Sequence, residues 1–149
     1  RFPEFYLTDY YYMNVTYYDA VCFVPKTNVY FHGFGVMANY NGKDLTYKIK
    51  WSIDDETSEE YEMSKVDSEK DPDRKWHSIN LSEIGVKPIK VSEGQKIHCL
   101  IKVTNDDVRR CLYGYSGYKD RYSVIENQEY DFDVESSRFN DNSTSADWG

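Results

Sequence analysis

Asp19-Ala20-Val21-Cys22-Phe23-Val24-Pro25-Lys26-Thr27-Asn28-Val29-Tyr30-Phe31-His32-Gly33-Phe34-Gly35-Val36-Met37 is the stretch that decides the fold. It reads as two strands joined by a tight polar turn, Pro25-Lys26-Thr27-Asn28. In the first, Val21 and Phe23 alternate with Ala20 and Cys22. The second carries Gly33 and Gly35 on either side of Phe34. Residues two apart on a strand share a face, so that face is bare at two successive positions. Glycine inside a strand weakens it unless something approaches closely there or the strand must bend. The expectation is that a bulky ring or the backbone of an opposing layer lies against both glycines.

Alternation of period two recurs downstream. Leu45, Tyr47, Ile49, Trp51 and Ile53 alternate with Thr46, Lys48, Lys50 and Ser52. Ile97, Cys99, Ile101 and Val103 alternate with His98, Leu100, Lys102 and Thr104. Tyr130, Phe132 and Val134 alternate with acids, and Trp76, Ser78 and Asn80 alternate less cleanly with Lys75, His77 and Ile79. These are half-buried strands. Asn41-Gly42 is a hairpin-turn signal, and Ser92-Glu93-Gly94 is a further turn. The best helical stretch, residues 82–85, gives one turn at most. Residues 54–75 read as a charged loop around one short strand at Tyr61 and Met63. A polar tail is expected from Ser136 onward. Many short strands between turns predict an all-β, single-domain antiparallel β-sandwich over residues 1–149. Its expected core holds Val21, Phe23, Phe34, Tyr47, Ile49, Trp51, Ile101, Val103 and Phe132.

Several of these segments resemble the PHR domain, a β-sandwich module of the Pam, Highwire and RPM proteins that also occurs behind BTB domains. The likeness is carried by Arg1-Phe2, by Asp19-Ala20-Val21-Cys22-Phe23, and by Val29-Tyr30-Phe31-His32-Gly33-Phe34-Gly35-Val36. It continues through Leu45-Thr46-Tyr47-Lys48-Ile49, Val91-Ser92-Glu93-Gly94-Gln95-Lys96-Ile97, and Tyr113-Gly114 followed by Gly117. The family usually closes with a strand opening Gly-Gln-Phe/Ile-Pro; here the sequence stops at Trp148-Gly149. Without that strand, one sheet should have an open edge, which residues 2–7 are expected to cover in their own chain or in a neighbour. The resemblance implies a recognition module within a RING-type or BTB/cullin-type ubiquitin-ligase assembly.

Composition bounds the partners. Net charge is −8, which repels phosphate backbones, so neither nucleic acid nor an anionic membrane is expected as a partner. No apolar run approaches the ~20 residues of a membrane helix, and no signal peptide is visible. Cys22, Cys99 and Cys111 form an odd set without short spacing, which argues for reduced thiols and a cytoplasmic protein.

No motif points to catalysis, so the expectation is a protein that is not an enzyme and needs no cofactor or metal. The carboxylate runs at Asp54-Asp55-Glu56, Glu59-Glu60 and Asp71-Pro72-Asp73 lack calcium-loop spacing and read as solvated charge. His98 and Cys99 are adjacent on a strand, so they face opposite ways and cannot share a metal without a bulge.

Tyrosine is over-represented, fifteen against seven phenylalanines. Tyr113, Tyr115, Tyr118 and Tyr122 fall in a glycine-containing stretch with Gly114 and Gly117, flanked by Arg109, Arg110, Lys119 and Arg121. Aromatic residues on loops of a rigid sheet are common binding anchors, and arginine grips carboxylates in bidentate fashion. The expected partner-binding face is therefore a loop over residues 110–122, with Arg110, Tyr113, Gly114, Tyr115, Gly117, Tyr118 and Arg121 joined by the Asn41 turn. Its expected partner is a protein or peptide, acidic or tyrosine-compatible in chemistry. The rival is a secreted carbohydrate-binding sandwich, for which exposed aromatics and the sequons at Asn14, Asn80 and Asn142 would fit. The sequence leaves the partner's identity and the oligomeric state open.

Overall fold

A computed structural model describes residues 5–12, 15–39, 41–69, 76–104, 110–114 and 132–139. The described chain is strands and turns, with two short 3-10 turns at Asp67–Glu69 and Leu81–Ile84. The strands in chain order are β1 (Phe5–Tyr12), β2 (Asp19–Pro25), β3 (Val29–Phe31), β4 (Gly33–Met37), β5 (Leu45–Ile53) and β6 (Glu56–Thr57). Next come β7 (Tyr61–Lys65), β8 (Trp76–Asn80), β9 (Ile89–Val91), β10 (Ile97–Val103), β11 (Arg110–Gly114) and β12 (Phe132–Ser136).

The main sheet runs β12-β2-β10-β5-β6, with β7 also on β5, and every pair is antiparallel. Three smaller antiparallel pairs accompany it: β4 with β8, β3 with β9, and β1 with β11. β11 also lies beside β4.

The alternation of β5 decides which face is inside. Leu45, Tyr47, Ile49 and Trp51 are buried. From β10 come Ile97, Cys99, Ile101 and Val103, also buried. Opposite them, Val36 of β4 and Ile79 of β8 close one apolar cluster. Phe31, Leu81 and Val91 close a second around Trp51. Trp51 stacks on Tyr61 with ring centres 5.3 Å apart. Two layers with one core between them give the β-sandwich that the periodicity predicts.

The details depart from expectation in several places. The strand foreseen over residues 29–36 is broken at His32, which is exposed. Its halves pair with different partners, β3 with β9 and β4 with β8. The turns at residues 25–28 and at Asn41-Gly42 do not make hairpins. β2 and β5 lie in the main sheet, while β3 and β4 lie in the smaller pairs, so both turns carry the chain between sheets. Val21, Phe23 and Phe34 are only partly buried. β10 is covered on both faces, with His98 and Leu100 buried as well. The tail does not start at Ser136, because Ser137 is buried against His98. Of residues 2–7, residues 5–7 belong to β1, which pairs with β11 in its own chain.

Phe132 is the largest correction to the expected core. It and Val134 are 39% and 64% exposed. β12 is an edge strand of the main sheet, and among the described residues neither apolar cluster includes Phe132 or Val134. Phe132 meets Phe23 edge-on at 6.4 Å. Phe132→Ala should therefore cost only about 1 kcal/mol, well short of a buried-ring deletion. Urea melts of the variant check this; a loss near that of a core aromatic would mean the ring is covered in solution.

Candidate partner-binding site

The glycine strand presents its bare side outward. Phe34 and Val36 of β4 turn into the core, so Gly33 and Gly35 face away from it. On β8, His77 and Ile79 are buried, and Trp76, Ser78 and Asn80 share the outer face with the glycines. Gly35 pairs directly with Ser78. The obstacles next to the glycines are a ring and a backbone, as the sequence predicts, but both belong to the neighbouring strand and not to the opposing layer. A Cβ on Gly35 would lie 3.5 Å from the Trp76 indole, an ordinary contact. A Cβ on Gly33 would collide with the Ile79 carbonyl oxygen, and φ there is 147°. The result is a shallow outward surface: bare backbone, one indole lying along it, and the small polar side chain of Ser78.

Next to this surface stands the Asn41 turn. Trp76 pairs with Met37, the last residue of β4, and the turn follows two residues later. Asn39 is buried and shapes it. Its Oδ1 accepts from the Asn41 N–H at 2.8 Å and the Lys43 N–H at 3.2 Å. Gly42 then adopts φ 68°, a left-handed conformation natural to glycine. Asn41 itself is exposed.

The loop expected over residues 110–122 is in part a strand. Arg110, Tyr113 and Gly114 lie on β11, paired with Tyr12, Tyr6 and Phe5 of β1. The ladder shifts register between Tyr6 and Tyr10, an irregularity that period-two reasoning cannot place. Tyr115, Gly117, Tyr118 and Arg121 lie outside the described residues. The structure thus brings the Asn41 turn to β4 and sets β11 beside that same strand. Trp76 is the residue that sequence reasoning did not single out. The available signal was its place at the head of the Trp76, Ser78, Asn80 alternation.

His77 locks this face to the layer behind it. Its Nδ1 is 2.8 Å from the Tyr47 hydroxyl, and the two rings meet edge-on. Burial holds the imidazole below its ordinary pKa; Lys65 adds to this, while Asp67, Glu69 and the Val66 backbone oppose it. His98 is similar, bonded to Ser137 Oγ at 2.9 Å and edge-on to Phe139. Burial, then Arg138 and Lys96, lowers its pKa, against Glu135 and Asp54. Both residues fold as neutral imidazoles. The unfolded chain takes up protons below about pH 6.5 while the folded one does not. Stability should therefore be complete above that pH and fall as pH drops toward the depressed folded values. Melting temperatures between pH 7.5 and 5 test this, and a flat profile would show that neither imidazole is held neutral.

The remaining polar groups are structural. Asp54, at φ 50°, makes the turn between β5 and β6. Its carboxylate accepts from the Lys96 N–H and Gln95 Nε2, which hold its pKa below the usual range. Asn80 accepts from the N–H of Ser82 and caps the second 3-10 turn. Cys22 and Cys99 are free, buried thiols, and burial pushes both upward, away from nucleophilic character. Among the described residues, no group of three or more His, Cys, Asp or Glu could hold a metal ion. Among them too, no helix is long and apolar enough to cross a membrane.

Layered antiparallel sheets with an outward bare-glycine face define an all-β module, and comparison with known families agrees. The PHR domain family model matches residues 1–149, and the chain belongs to that family. No curated protein and no solved structure matches it.

Proposed function

We propose that this PHR domain is a protein-recognition module, the partner- or substrate-targeting part of a cytoplasmic ubiquitin-ligase assembly. A segment of the partner lies across the outer face of β4 and β8, against Trp76 and the bare backbone at Gly35. The Asn41 turn lies at one end, with β11 alongside β4. The observation that carries this reading is the exposed, outward Gly35 beside the Trp76 indole. Missing side chains let another backbone come close, and a large flat ring supplies contact area at small entropic cost. The ligase context is supported by the family likeness, since PHR domains occur in RING-type ligases and BTB proteins. Two free thiols fit a reducing compartment. The upward-shifted thiols and neutral, bonded imidazoles favour binding over catalysis, with no cofactor.

Affinity capture followed by mass spectrometry tests the proposal. Wild type should enrich ligase subunits or their substrates. Trp76→Ala should lose them at a stability cost of about 1 kcal/mol, since the indole is only half-buried. The Tyr115→Ala/Tyr118→Ala pair should weaken capture in the same way. An unchanged set of captured proteins in Trp76→Ala would remove this face from the account. If that variant fails to fold, Gly35→Ser serves in its place.

A further inference from the structure

The opposite side of the sandwich holds a feature that the partner face does not use. On the outer face of the main sheet, Lys48 of β5 and Lys102 of β10 are directly opposed. Like charges in that position destabilise a sheet. Lys50, two residues along β5, joins them on the same face. Among the described residues, three ammonium groups thus stand against two carboxylates, Glu60 and Glu62, on a chain of net charge −8.

A bulge aims one of those carboxylates. Between the pairs Ser52–Thr57 and Ile49–Tyr61, residues 58, 59 and 60 oppose only Lys50 and Trp51. The extra residue re-aims the local side chains, as bulges beside functional sites do. Glu60 accepts a hydrogen bond from the Tyr18 hydroxyl and lies 2.8 Å from Lys48 Nζ. Lys48, then Tyr18, pulls its pKa down to about 2. Lys48 is also faced by Glu62 across the ladder.

The other two lysines are less fully engaged. Lys102 Nζ is 3.8 Å from Glu60 and 4.5 Å from the centre of the Tyr18 ring. Lys50 Nζ is 5.1 Å from that same centre and has no carboxylate partner among the described residues. Tyr18 is buried beneath them, so the aromatic floor is fixed.

We infer that Lys50 and Lys102, held over the Tyr18 ring, form a second docking point that takes an acidic side chain of an extended partner segment, with Glu60 as its internal competitor. The Glu60 contacts show the chemistry the spot accepts: a carboxylate between ammonium groups and a phenol. This inference does not rest on the partner face of β4 and β8, which lies on the other side of the core.

Fluorescence anisotropy with a labelled tetraglutamate peptide tests it on the intact chain. Wild type should bind weakly and lose affinity with added salt. Glu60→Gln should bind about fivefold tighter or better, and Lys50→Gln about fivefold weaker, since single screened charges act on that scale. Lys50→Arg should retain binding. The inference is overturned if neither wild type nor Glu60→Gln binds, or if Lys50→Gln binds as wild type does. Equal binding of a single-stranded oligonucleotide also overturns it, because the patch would then be a general anion surface. Lys102→Gln should parallel Lys50→Gln; should it fail to fold, Lys50→Gln alone decides.

Discussion

Gly33→Ala should cost about 3 kcal/mol or more, a large part of the 5–15 kcal/mol that holds a domain of this size together. Two effects add. At φ 147° an L side chain is strained whatever the space around it. The new methyl would also stand inside the Ile79 carbonyl group, 2.9 Å from its carbon and nearer still to its oxygen. Backbone cannot rotate away as a side-chain tip can, so β4 must separate from β8 where Gly33 pairs with Asn80. Gly35→Ala, two residues on, is the control. Its methyl meets only the Trp76 ring at an ordinary 3.5 Å, and its effect should stay within about 0.5 kcal/mol. Chemical denaturation of the pair reads out the contrast. Equal losses would show that the strand, and not the carbonyl at Gly33, sets the requirement for glycine.

Tyr47→Ala should be as damaging, about 3–5 kcal/mol. The ring is fully buried between β4, β8 and the main sheet, and among the described residues it is the largest such side chain. Its hydroxyl is also the partner of His77 Nδ1. Tyr47→Phe keeps the ring and removes that bond, leaving a buried imidazole nitrogen without it, at a cost of about 1–3 kcal/mol. The difference between the two variants separates ring packing from the hydrogen bond. If Tyr47→Phe melts as wild type does, the bond carries no net stability and His77 is held by packing alone.

What could be read from the sequence follows from what alternation can and cannot encode. On β5 a strict period of two marks one face as buried, and Leu45 to Trp51 obey it. The pattern is equally regular at Phe132 and Val134, yet those side chains are exposed. Period two reports that two faces differ, not that a second layer reaches far enough to cover one of them. Turns mislead in a related way. Asn41-Gly42 correctly marks a left-handed glycine. A local turn preference, however, does not tell whether the strands on either side will pair, and here they lie in different sheets. The glycines signalled close approach, and close approach is found. Its source on the adjacent strand depended on the register of β4 against β8, which joins residues about forty apart in sequence. The lysine face was hidden for the same reason: Lys48, Lys102, Tyr18 and Glu60 meet only once the sheet has formed.

The two turns that carry the chain between sheets have a kinetic consequence. Among the described residues, strands close in sequence pair only where β5 meets β6 and β7. Every other ladder closes a long stretch of chain: Cys22 must find His98, and Val134 must find Phe23. Such topologies have high contact order and fold in milliseconds to seconds, because loop-closure entropy is lost before distant contacts compensate for it. On the ribosome the delay is longer. β2 is finished roughly 70 residues before β10 begins to appear, about 4–14 s at ordinary rates of synthesis. For that interval an apolar strand waits without its partners, and the β5–β6–β7 meander is the part of the main sheet that can assemble in the meantime.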